Sequence, residues 1–245
     1  MTTTFRDAAV TEVVTSGSPS AFTKPTLTQA GDLQLMFVVI DGVGDTSTGP
    51  TGGATWILVG GARQDISNGD TQTLWLYAQV AGLSEPSTYA QSFSHAANNC
   101  CALIVAYSGV DVSGGAAAAI AAFLWTNPNS VSVPTSPVSM ATNAITTTAP
   151  NQTVVWGGGV DWNSASAGTL TAPGSTSTRV SFVTGPFVNG LVVDFVQAGA
   201  GSTGTITGTG TLAAASGNFA AFLAALKDAP PSGPSLMGHG IFVNA

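Results

Sequence analysis

Apolar positions along this chain recur with the two-residue period of β-strands, and clusters of Gly, Pro, Ser, Asn and Asp separate them. Thr71–Val80 alternates most cleanly, with Leu74, Leu76, Ala78 and Val80 on one face and Trp75, Tyr77 and Gln79 on the other. Residues 33–40 form a continuous apolar run that stops at Asp41-Gly42, and residues 56–60 and 89–93 are shorter runs. Residues 100–107 are so apolar that a central place in a sheet is predicted. No long amphipathic helical pattern competes with these segments. Short strands between turn clusters predict an all-β protein, a β-sandwich or barrel.

The chain also resembles itself. Residues 35–41 (LMFVVID) match 155–161 (VWGGGVD), residues 74–82 match 191–199, and residues 102–107 match 220–225. The offset stays between 117 and 120 residues. This predicts a sandwich of two related halves. The expected organisation is an N-terminal arm over 1–25, a first β repeat over 26–112 and a connector over 113–143. A second repeat over 144–229 follows, then a Pro-rich spacer and apolar tail over 230–245. Within the connector, residues 116–125 suit a short helix, through alanine's propensity, or an extra strand.

Composition narrows the function. Only 7% of residues are charged, against about 25% in an ordinary soluble domain. Thr, Ser, Gly and Ala take their place. These side chains lose little entropy when immobilised, which suits repeated protein–protein packing. The net charge is −7, and the five bases Arg6, Lys24, Arg63, Arg179 and Lys227 are scattered singly. No basic stripe exists to neutralise phosphates, so neither nucleic acid nor an anionic membrane is expected as a partner. The opening residues carry no charged stretch leading into an apolar run, which predicts synthesis and first folding in a cytoplasm. Cys100 and Cys101 are adjacent, so in a strand they face opposite ways and are expected as free, buried thiols.

The residues for chemistry are sparse. His95 and His239 stand alone, no Gly-x-Ser-x-Gly or His-Glu-x-x-His motif occurs, and no Cys/His cluster has zinc spacing. Glu12 and Glu85 are the only glutamates, read as arm and loop residues. Asp41 and Asp161 occupy matching strand ends, where turn hydrogen bonds are expected of them. The sequence from Asp41 to Asp45 lacks the full calcium-loop pattern. Gly157-Gly158-Gly159 has no lysine nearby to make a phosphate loop. Of the five tryptophans, Trp75 lies opposite the leucine face and is the candidate for stacking on a sugar. No catalytic, cofactor-binding or metal-binding residue is therefore assigned, no cofactor is expected, and the protein is read as non-enzymatic.

Three strings carry a family resemblance: residues 30–41 (AGDLQLMFVVID), 75–86 (WLYAQVAGLSEP) and 102–111 (ALIVAYSGVD). They are similar to a recurring pattern in phage virion proteins with jelly-roll-like β domains. The resemblance covers residues 26–111 well, and the second copy lacks both the Gly-Asp-Leu start and the Ser-Glu-Pro turn. It implies a structural protein of the virion that decorates or cements the capsid surface as a homo-oligomer, contacting the major capsid protein or other virion proteins. The alternative is a tail or head-fibre component that binds host glycan. The assembly contacts are expected at Phe5 in the arm and at Ile241, Phe242 and Val243 in the tail.

Overall fold

The computed structural model describes residues 2–13, 20–41, 47–65, 71–93, 99–126, 129–131, 137–162, 169–182, 188–211 and 217–231. The protein is an all-β sandwich. Its first large sheet runs in the order β1 (Thr4–Val13), β8 (Asn99–Ser108), β3 (Leu33–Asp41), β6 (Thr71–Val80), β5 (Ile57–Asp65), every pairing antiparallel. The second runs β10 (Asn129–Val131), β19 (Gly217–Leu226), β13 (Gln152–Trp162), β16 (Val188–Gln197), β15 (Ser177–Phe182), with β9 (Ile120–Trp125) also paired to β19.

These sheets face each other across one apolar core. From the first come Leu33, Leu35, Phe37, Val39, Leu74, Leu76, Ala78, Cys101, Leu103 and Val105, and from the second Val155, Val188, Val192, Ala220, Phe222 and Ala224. Each sheet is covered on its outer side too. Behind the first lies β2 (Ser20–Thr23), β7 (Thr88–Phe93), β4 (Ser47–Thr51), which buries Phe22, Tyr89 and Phe93 against Met36, Val38, Trp75 and Ile104. Behind the second lies β11 (Val138–Thr142), β18 (Ile206–Thr211), β14 (Thr169–Thr171), with β12 (Thr146–Thr147) paired to β17 (Gly201–Ser202). Met140, Ile145, Leu170 and Ile206 there meet Val154, Trp156, Val193 and Leu223. A strand buried on both faces reads as a continuous apolar run, which accounts for residues 33–40 and 100–107.

Several expectations take a definite form. Cys100 and Cys101 are both buried and free, the first under the outer sheet and the second in the inter-sheet core. The alanine-rich part of the connector is helix and strand in turn: α1 (Gly115–Ala118), then β9 on the edge of the second sheet. The segment expected as an arm pairs with β8 from Thr4 to Val13, so Glu12 is a strand residue. The sequence match of β6 with β16 and of β8 with β19 is shifted by one residue. With Leu35 set against Val155, the ladders pair Leu35 with Ala78 and Val105, and Val155 with Asp194 and Ala224. Asp194 lies 116 positions after Ala78 (194 − 78), and Ala224 lies 119 after Val105 (224 − 105). A one-residue shift exchanges the two faces of a strand, and repetitive Ala, Val and Gly left that shift invisible in one dimension.

Candidate functional site

Among the described residues, three polar clusters and an apolar groove gather chemistry. The first cluster lies between β3, β6 and the turn before β7. Tyr89 Oη lies 2.7 Å from Gln34 Oε1 and 2.9 Å from Glu85 Oε2, with one proton to share between them, and the Gln79 amide nitrogen is within hydrogen-bonding reach of Tyr89, Glu85 and Gln34. Glu85 Oε1 accepts from the backbone N–H groups of Gly82 at 2.6 Å and Ala54 at 3.1 Å. The carboxylate of the Ser-Glu-Pro turn thus holds two loops and one phenol together. Burial, then the neighbouring Glu85 carboxylate, raise the Tyr89 phenol above its ordinary range, so it stays a hydrogen-bond donor. Trp56 packs edge-on against Tyr89 with ring centroids 5.0 Å apart.

The second cluster joins the two large sheets along one side. Arg179 pairs with Asp194 at 2.8 Å, and Tyr107 Oη donates to the other oxygen of Asp194 at 3.0 Å. The Arg179 guanidinium sits 4.5 Å above the Phe5 ring, which meets Tyr107 edge-on at 5.9 Å. Arg179 is the extra residue of a β-bulge between Thr178 and Val180, which turns its side chain inward. Burial and Asp194 raise the Tyr107 phenol, while the hydrogen bond to Asp194 raises Arg179 further. The cluster welds β1 and β8 to β15 and β16.

The third cluster ties the chain ends. Lys227 meets Asp111 at 2.7 Å, Thr3 N–H donates to Asp228 Oδ1 at 2.8 Å, and Arg6 meets Asp32 at 2.6 Å. The Lys227 hydrogen bond, helped by Ser113, lowers Asp111 to about 2. The apolar groove, of about 230 Å³, opens on the opposite side of the sandwich and is lined by Ile57, Leu58, Val59, Ala117, Ile120 and Phe123.

The residues singled out from the sequence are placed as follows. Phe5 is half-buried within this chain, under Arg179. Ile241, Phe242 and Val243 lie outside the described residues, as do His95, His239 and Asp45. Asp41 ends β3 opposite Gln72 and Asn99, and Asp161 lies in β13 opposite Val188 and Asn218, so both are ladder residues. Trp75, the candidate for sugar stacking, is only 7% exposed and stacks on Phe93 at 5.8 Å, because the outer sheet covers that face as well. Both cysteine thiols are raised by burial, the opposite of an activated nucleophile.

Sequence reading missed Arg179, Asp194 and Tyr107. A signal existed: Asp194 interrupts the apolar run Leu191-Val-Val-Asp-Phe195. A charge inside such a run needs a buried partner, and few cations were available to supply one. No family model, curated protein or solved structure matches this chain.

Proposed function

We propose that this protein is a structural component of a phage virion, a homo-oligomer that decorates or cements the capsid surface through protein–protein contacts. One observation carries the reading: three of the described bases are each paired with a carboxylate of this chain, and small uncharged side chains are left outside. Arg6, Arg179 and Lys227 each hold a carboxylate. On the outer strands Ser139, Ala141, Thr169, Thr171, Thr207 and Thr211 are exposed, and on the β15 edge so are Ser177, Thr178 and Ser181. Such a surface orders against a neighbour at low entropic cost and carries little charge to desolvate. The glycan reading has lost its named carrier, since Trp75 is buried.

Light scattering on the purified protein, with co-sedimentation on phage shells stripped of surface proteins, tests the proposal. A defined oligomer that rebinds the shells is expected. Deleting residues 236–245, which contain Ile241, Phe242 and Val243, should leave the β-sheet circular dichroism intact and weaken shell binding at least tenfold. A monomer that ignores the shells would overturn the reading.

A further inference from the structure

The strand orders of the two large sheets are the same, element for element. β1-β8-β3-β6-β5 corresponds to β9/β10-β19-β13-β16-β15, and the outer sheet β2-β7-β4 corresponds to β11-β18-β14. Irregularities correspond as well. Between β5 and β6 the register slips at Val59, flanked by Leu58 opposite Tyr77 and Gly60 opposite Leu76. Between β15 and β16 it slips at Arg179, flanked by Thr178 opposite Val193 and Val180 opposite Val192. A second pair of bulges falls at Arg6 in β1, after Phe5 opposite Tyr107, and at Ala121 in β9, after Ile120 opposite Leu226. The turn entering β3 has Gly31 at φ 86°, and the turn entering β13 has Asn151 at φ 60°. In both, the next side chain accepts from the backbone just upstream: Asp32 from Gln29, Gln152 from Ala149.

We infer that this chain is two copies of one jelly-roll unit joined end to end, and that the inner sheet of the unit is a self-recognition surface whose partner is a second copy of the unit. Bulges interrupt pairing at particular residues and are not dictated by composition. Two of them at corresponding ladder positions, with the same sheet order, are hard to reach independently. The packing obeys an approximate two-fold: β1 lies against β15 on one side of the sandwich and β5 against β9 on the other, which are equivalent pairs. The inference is independent of the virion reading.

The equivalence makes a sharp statement about the two sides. Phe5, Tyr107, Arg179 and Asp194 close one side. Their counterparts by register are Ile120, Leu226, Val59 and Ala78, all apolar, on the other. The open groove between β5 and β9 is thus the place that Arg179 over Phe5 fills in the equivalent contact.

The test uses the full chain. Asp194→Ala alone leaves Arg179 and Tyr107 unmatched and should lower Tm by roughly 10 °C. The fourfold replacement Phe5→Ile, Tyr107→Leu, Arg179→Val, Asp194→Ala installs the residues that the other side already uses, and should recover at least half of that loss. The reciprocal fourfold replacement Ile120→Phe, Leu226→Tyr, Val59→Arg, Ala78→Asp carries the carboxylate along with the cation, and should fit the groove and leave Tm within a few degrees of the parent. A first fourfold variant no more stable than the single one, or a reciprocal fourfold variant that falls by 10 °C, would overturn the equivalence.

Discussion

The two facing sheets divide the core volume unequally. The first presents Phe37, Val39 and Leu74, and at the corresponding ladder positions the second presents Gly157, Gly159 and Gly190. Gly159 and Gly190 are holes that the opposite sheet occupies: a methyl on Gly159 would lie 2.8 Å from Leu74 and Val39, and one on Gly190 2.4 Å from Leu103, whereas one on Gly157 would meet Phe222 of its own sheet at 2.1 Å. The outer layers reverse the arrangement. The first half covers Met36 with Tyr89, whereas the second carries Trp156 at the matching place on β13 and offers it Gly208. Two sheets of like topology pack closely here because where one residue grew, the residue facing it shrank.

Adding volume to the hole side should break this complementarity most severely. Gly159→Ala is expected to cost about 3 kcal/mol in denaturant unfolding. Gly174→Ala, where a methyl meets nothing within 4 Å, should be close to neutral. Equal costs at the two positions would mean that the sheets are not close-packed at Gly159.

The next contrast is in how the halves hold their turns. The first uses the Glu85 carboxylate, the second threonine hydroxyls: Thr147 Oγ1 reaches the carbonyls of Gly199 and Gly201, and Thr203 Oγ1 accepts from Ile145 N–H. Glu85→Ala unmatches Gly82 and Ala54 N–H and should cost about 2 kcal/mol, against about 1 kcal/mol for Thr147→Val. The reverse order in chemical denaturation would assign the second turn the greater share.

The smallest effect is expected where the halves are clasped. Asp111 is held at about 2, below its ordinary 3.8, by Lys227. A carboxylate with a lowered folded-state value stabilises above its unfolded value and loses that contribution as pH falls through the folded one. The Tm of the parent should therefore drop more than that of Asp111→Asn between pH 4 and pH 2. Parallel curves would show that the clasp adds nothing at this exposed site.

Much of the fold was legible along the chain. Residues 71–80 alternate as their faces require, and the Cys100–Cys101 pair splits between two cores as adjacent strand residues must. Asp32 and Glu85, inside the strings that carry the family resemblance, are turn-holding carboxylates. The N-terminal strand was read as an arm because its apolar positions alternate only loosely, and the bulge at Arg6 is one reason. The glycine run at 157–159 stood out along the chain, but what Gly157 and Gly159 make room for (Phe222, Leu74 and Val39) lies more than sixty residues away.

Sequence by itself determined that this protein is made of strands, where most of them lie and which residues alternate, because those properties follow from the two-residue period of an extended backbone. Tertiary structure alone decided that Trp75 is covered, that β16 and β19 sit one residue from their best sequence match, and that Arg179 finds Asp194. Each of these depends on what lies across a sheet rather than along a strand. Alternation separates two faces, but only packing decides whether one or both are buried, and which partner each one meets.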